Sequence, residues 1–121
     1  MKNLSETELL ILNWIWDNKK AVPLKEIKEY FLKEKGITGS SVSTYLTRLI
    51  NKGYLKSEKF LQTTLYTPII LKRDFVAKKA KDILNELYGN NAFEFVLDFI
   101  KATEFTAEQK ESIIKALKEN R

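Results

Sequence analysis

Between Thr38 and Gly53 the chain reads TGSSVSTYLTRLINKG, and one side of this stretch is made of short polar groups beside a single guanidinium. Ser40, Thr44, Thr47, Arg48 and Asn51 share one helical face. Val42, Tyr45, Leu46, Leu49 and Ile50 recur at the i, i+3, i+4, i+7, i+8 spacing of a buried stripe. Short side chains let a helix backbone approach base edges and phosphates, and an arginine fork can bond phosphate or guanine through two N–H groups. The chemistry available is therefore recognition of duplex nucleic acid in the major groove. An ordinary amphipathic helix with a serine-rich face has the same spacing, so the stretch alone does not separate the two. Covalent chemistry has less to work with. The chain contains no histidine and no cysteine, which removes imidazole bases, thiolate nucleophiles, thiolate or imidazole metal sites and disulfides together. Carboxylates and lysines remain, but no motif gathers them and there is no glycine-rich phosphate loop. No catalytic residue, metal or cofactor is expected.

The charge suits a polyanionic partner. The formal net charge is +5 and the isoelectric point about 9.3. Residues 1–70 hold 11 Lys and Arg against 7 Asp and Glu, whereas residues 71–121 hold 10 against 9. The excess lies in the half with the hydroxyl-rich helix, although a lysine-rich surface serving only solubility gives the same sum. At 121 residues the chain is one domain, or one small domain plus an appendage. No apolar run reaches the roughly eighteen residues of a membrane span. The opening MKNLSETELL has acids where a signal peptide needs an apolar stretch, so no membrane insertion and a cytoplasmic location are expected.

The elements that position the helix follow in order. Ser5-Glu6-Thr7-Glu8 is a capping box with Leu4 and Leu9 as its hydrophobic staple, opening a first helix through LLILNWIW to about Asn18. Trp14 and Trp16 read as core. After a turn at Asn18-Lys19-Lys20, Pro23 stands at or just before the first turn of a second helix, Leu24 to Lys35, ended by Gly36. The third helix runs from about Ser40 to Lys52 and stops at Gly53. YLKSEKF and TLYTPII then read as a β-hairpin with its tip near Leu61 to Thr63, and Pro68 fits only a strand end or edge. Three helices and a hairpin in this order spell a winged helix-turn-helix. The fold class is mainly α with a small β-hairpin wing, followed by a helical dimerisation region. The expected domains are residues 1–70 and 71–121.

In the second domain, a helix from Arg73 to Tyr88 carries Val76, Ala80, Ile83, Leu84 and Leu87 on one stripe, and Gly89-Asn90-Asn91 breaks it. The next helix, Ala92 to Ala102, is apolar nearly all round through Phe93, Phe95, Val96, Leu97, Phe99 and Ile100. A second capping box at Thr106–Gln109 opens a last helix with Ile113, Ile114 and Leu117. A short helix apolar on every side is buried or lies at an interface. A homodimer covers it most simply, and a small bundle folded onto the winged domain is the other solution. Two-fold symmetry also suits palindromic DNA sites.

This layout resembles the penicillinase repressors of the BlaI/MecI/CopY group. The likeness is carried by LSETELLILNWIWDNK, SVSTYLTRLINKGYL, LYTPII and LYGNNAFEFVLDFI with the capped last helix, and it covers almost the whole chain. The resemblance implies a dimeric repressor acting on an inverted-repeat operator in double-stranded DNA. It places Ser41 and Ser43 where the family's recognition helix contacts that DNA. Family members commonly carry Lys or Arg at the positions of Ser40 and Ser43, so the base-reading set here differs from the family's and the resemblance does not imply the family's usual operator. The copper-responsive branch ends in a cysteine-rich motif that this chain lacks. In the β-lactam branch a membrane-bound sensor triggers cleavage of an Asn-Phe bond in the tail, and the matching pair here is Asp98-Phe99, with an added charge.

The expected DNA-binding residues are accordingly Ser40, Ser41, Ser43, Thr44, Thr47 and Arg48 on the third helix, Lys52 at its end, and Lys56 and Lys59 on the wing. Arg48 paired with an acid of the first helix or the wing is the structural alternative for that residue. The expected dimerisation residues are Ile83, Leu84, Leu87, Phe93, Val96, Leu97, Phe99, Ile100, Ile113 and Leu117. Two further readings stand beside the repressor. One is a MarR-like ligand-responsive regulator, which usually has extra helices before the first. The other is a winged-helix module that binds protein.

Overall fold

The computed structural model describes residues 3–121. The elements run α1 (Glu6–Asn18), β1 (Val22–Pro23), α2 (Leu24–Lys35), α3 (Gly39–Asn51), β2 (Leu55–Phe60), β3 (Thr63–Pro68), α4 (Lys72–Tyr88), α5 (Ala92–Ala102) and α6 (Ala107–Glu119). The chain divides into two compact units, one through Ala77 and one from Lys78 to Arg121.

The first unit is a three-helix, three-strand winged helix. Both arms of the Ser5–Glu8 capping box are present: Ser5 Oγ accepts from the Glu8 N–H, and Glu8 Oε1 accepts from the Ser5 N–H at 2.7 Å. Gly36 ends α2 at φ 66°, a conformation that costs glycine little. The core joins Ile11, Leu12 and Ile15 of α1 to Ile27 and Phe31 of α2, to Val42, Leu46 and Leu49 of α3, and to Tyr54 and Leu55 leading into the wing. Trp14 stacks on Tyr30 at 4.9 Å. The Trp16 indole N–H donates to the Ile70 carbonyl at 2.8 Å, which satisfies the polar edge of a half-buried aromatic.

Three details differ from the sequence reading. A third strand exists, because Val22 and Pro23 pair with Tyr66 and Leu65, giving the antiparallel order β1-β3-β2. Two residues are too short to show a period, so the strand has no sequence signature; Pro23, as N-cap of α2, stands just before its first turn, one of the two positions the sequence offered. The hairpin loop is Leu61-Gln62 alone, since Thr63 already pairs with Phe60. Helix α3 starts at Gly39 with Thr38 as its cap. Pro68 ends β3, where a missing N–H removes no interior ladder bond. Phe75, in the first turn of α4, is buried against Trp16 at 5.4 Å and Tyr54 at 5.9 Å. The start of that helix is therefore packed into the winged unit.

The second unit holds the rest of α4 with α5 and α6. Asn91 caps α5, and the Thr106–Gln109 capping box opens α6. No residue of α5 or α6 is buried.

Candidate nucleic-acid interface

Helix α3 is held from below and free above. Val42, Leu46 and Leu49 are wholly inaccessible, while Ser40, Thr44, Thr47 and Arg48 are exposed and Ser41 and Ser43 are half-buried. Thr38 Oγ1 accepts from the Ser41 N–H at 3.3 Å, and its hydroxyl donates to Ser41 Oγ at 3.0 Å. The Thr44 and Thr47 hydroxyls donate back to the carbonyls of Ser40 and Ser43 at 3.1 and 3.0 Å. These are local bonds of rotatable hydroxyls on a solvent face, and turning one toward a phosphate or base costs little.

The N-terminus of α3 has an electrostatic feature that pattern reading missed. Every other helix carries an acid in its first turn: Glu6 and Glu8, Glu26, Asp74, Glu94 and Glu108. Helix α3 has none, and its cap is a neutral threonine. The positive end of its dipole and its first N–H groups are not neutralised by the chain's own carboxylates, an arrangement that favours an incoming anion. Comparing first turns across the helices would have revealed this in the sequence.

Arg48 is exposed, and its guanidinium carbon lies 5.4 Å from the centroid of the Tyr45 ring. Among the described residues no carboxylate pairs with it. Tyr45 steadies the side chain through a cation–π contact and leaves the N–H fork open. Lys59 is exposed on the wing, and Lys56 sits 4.0 Å from Glu58 in an exposed pair that water screens.

Lys52 is placed otherwise than expected. Its ammonium donates to Glu8 Oε1 at 2.7 Å and to the Asn3 carbonyl at 3.0 Å, with the side chain 26% exposed and the carboxylate 1% exposed. It fastens the end of α3 to the start of α1 instead of reaching toward a phosphate. The reason is Glu8, whose carboxylate the capping box has drawn into the core and whose charge needs a partner there. Burial alone raises the Glu8 pKa. The Lys52 bond, the Ser5 backbone and side-chain bonds and the Lys52 charge outweigh it and hold the group below the ordinary carboxylate value. Its second oxygen, Oε2, is buried and has no hydrogen-bond partner among the described residues. Burial and the Glu8 charge push the neighbouring Tyr54 phenol up.

None of the expected dimerisation residues is buried. Ile83, Leu87, Phe93, Val96, Phe99 and Leu117 are exposed, with Leu87 at 75% and Phe93 at 73%, while Leu84, Leu97, Ile100 and Ile113 are half-buried. Ile100, Phe105, Ile113, Ile114 and Leu117 line an open apolar cleft of about 680 Å³ between α5 and α6. The Asp98–Phe99 peptide bond lies inside α5. Burial and a hydrogen bond with Asp98 push the Tyr88 phenol up.

Helices α1 to α3 with the wing define a winged helix-turn-helix protein whose third helix presents a neutral-to-basic face. The family model described as penicillinase repressor matches residues 4–119. The chain belongs to the penicillinase repressor family. It is 33% identical over 110 residues to the penicillinase repressor of Staphylococcus aureus, covering 91% of this chain and 86% of that protein. It is 28% identical over 118 residues to that of Bacillus licheniformis, covering 98% and 91%. Among solved structures it is similar to the DNA-binding domain of the repressor BlaI, with TM-score 0.55 and 30% identity over 61% of this chain and 93% of that one. It is also similar to the monomeric form of Bacillus licheniformis BlaI in complex with the blaP half-operator, with TM-score 0.53 and 29% identity over 60% and 88%. Among the described residues no helix is long and apolar enough to cross a membrane.

Proposed function

We propose that this chain is a transcriptional repressor, not an enzyme, that binds double-stranded DNA as a homodimer on an inverted repeat. The observation that carries the reading is α3: a helix anchored by three buried side chains, with an acid-free N-terminus and a face of hydroxyls and Arg48 open to solvent. The half-operator complex of the Bacillus licheniformis relative supports it. Ser40, Ser41, Ser43 and Thr44 contact bases or phosphates, Thr47 lies further along the same face, Arg48 is the bidentate donor, and Lys56 and Lys59 meet flanking phosphates.

The apolar tail supports a second copy. Leu87, Phe93, Phe99 and Leu117 stay more than half exposed in one chain. Burying each is worth about 1.5–3 kcal/mol, and a partner carrying the same apolar face supplies that burial. One half-site offers few contacts, so a monomer releases DNA and the tail is the control point. Cleavage at Asp98–Phe99, triggered by a membrane-bound sensor, would end the dimer by cutting α5. Helix α5 has to open locally first, because a protease reads an extended strand. Mass spectrometry of the chain from induced cells tests this, and an intact chain there removes cleavage from the reading.

The deciding experiment is a fluorescence-anisotropy titration of the full chain at about 0.15 M salt. The duplex upstream of its own gene is compared with a scrambled duplex. A preference of roughly 10³-fold or more, with two protomers per duplex, is the expected result. Equal binding to both duplexes removes the operator reading, and no binding to either favours a protein-interaction module.

A further inference from the structure

The wing ends in two large apolar side chains that the winged unit leaves exposed. Phe60 closes β2 and is 63% exposed, and Leu61 follows it at 87% exposed. The Phe60–Thr63 pairing leaves only Leu61 and Gln62 in the loop. Leu61 has φ 58°, in the left-handed region where an L side chain crowds its own backbone. Two-residue hairpin loops ask for Gly, Asn or Asp there. A strained backbone and an exposed hydrocarbon are both unfavourable, and among the described residues of the winged unit no packing offsets either. A residue that breaks a local rule without an internal return points to a contact outside the molecule. Lys59 precedes Phe60, and Lys56 lies further back on the same strand beside Glu58 at 4.0 Å, all three exposed, so the stem behind the apolar tip carries one net positive charge and Lys59 stands next to the tip.

We propose that Phe60 and Leu61 form an apolar wedge that enters the minor groove beside the α3 site and partly unstacks one base step. The proposal rests on the DNA-binding reading above. A tip two residues wide suits a groove about 6 Å across. Phe and Leu are among the side chains that insert between base steps and kink a duplex. Lysines behind the tip meet the phosphates on the groove walls, which is the charge complementarity that favours DNA over a membrane or protein surface. Pyrimidine–purine steps are the easiest to unstack, so the wedge reads sequence at a position where no hydrogen bond is made. Part of the specificity then lies on the wing, in a chain with Ser at positions 40 and 43.

The test uses the full chain and a duplex selected from a random pool by that chain, with 2-aminopurine at the step flanking the α3 site. Leu61→Gly removes the side chain and releases the left-handed strain, so it folds at least as well as the parent. Phe60→Thr keeps a strand-forming residue. Wild type is expected to raise the 2-aminopurine fluorescence on binding and to favour a pyrimidine–purine step there. Both variants are expected to lose that signal and that preference and to bind roughly tenfold or more weakly. The slope of log affinity against log salt stays the same, because no cation is removed. Variants that match wild type in affinity and fluorescence overturn the wedge while leaving the DNA-binding reading intact. Unchanged DNA binding with lost self-association in sedimentation would assign the tip to a contact between copies, and also overturns it. A wild-type chain that selects no duplex removes the DNA-binding reading and the wedge together.

Discussion

Helices α3 and α5 both carry enough apolar side chains to be buried, yet Val42, Leu46 and Leu49 of α3 are wholly inaccessible whereas no residue of α5 is buried. The difference lies in what surrounds them. Helix α3 has α1, α2 and the wing on its apolar side, so its stripe is satisfied within the chain and its polar face is left for a ligand. Helix α5 has only α4 and α6 in its own unit, and six large apolar residues on eleven positions exceed what they cover. One unit has a closed core and an open polar face. The other has an open apolar face, which is the physical condition for association.

That contrast can be broken most directly in the core. Leu46→Ala is expected to destabilise the winged unit by about 2–5 kcal/mol, read by denaturant unfolding at any protein concentration. In the tail, Phe93→Ala should leave the winged unit's unfolding unchanged and weaken dimerisation by about 1.5–3 kcal/mol, read by sedimentation. An unchanged dimer would mean that α5 is covered by something other than a second copy. Arg48→Ala is expected to leave both unfolding and dimerisation alone and to cost about 1–3 kcal/mol in DNA affinity. Unaltered affinity and sequence preference would remove Arg48 from the interface.

The Glu8–Lys52 pair sharpens the same comparison through pH. Glu8 is held below the ordinary carboxylate value in the folded chain. Its contribution is therefore present above that value and is lost as pH falls through the depressed folded value. Thermal unfolding of the winged unit should drop on acidification in that window, and Glu8→Gln should flatten the dependence. Lys52→Met leaves the carboxylate in the core with Ser5 alone. It is expected to cost about 1–2 kcal/mol, discounted because Lys52 keeps 26% exposure, and to move the acid loss to higher pH. A pH profile identical to wild type would show that Glu8 does not depend on Lys52.

Local signals read well where they are strong. Both capping boxes, the bounds of α2 and α5, the glycine stop of α2, the wing and the half-buried tryptophans follow from spacing and from φ preferences. What escaped was non-local or electrostatic. Strand β1 exists only because β3 lies beside it. Lys52 looked like a surface cation because the sequence does not show that Glu8, 44 positions away, is turned inward next to it. The acid-free first turn of α3 gains meaning only against the other five helices. The arginine stood out by type, but its aromatic support from Tyr45 needed the side-chain positions.

The amino-acid sequence by itself determined the order and type of the helices, the wing, the absence of thiol and imidazole chemistry, and the apolar excess of the tail. Each of these depends on composition or on neighbours a few residues apart. Only the tertiary structure decided which cations face solvent and which apolar residues remain uncovered. Burial and ion pairing are set by groups that folding brings together from distant parts of the chain. Desolvation of Glu8 then commits Lys52 to it, while Arg48 rests on the Tyr45 ring with no carboxylate partner among the described residues.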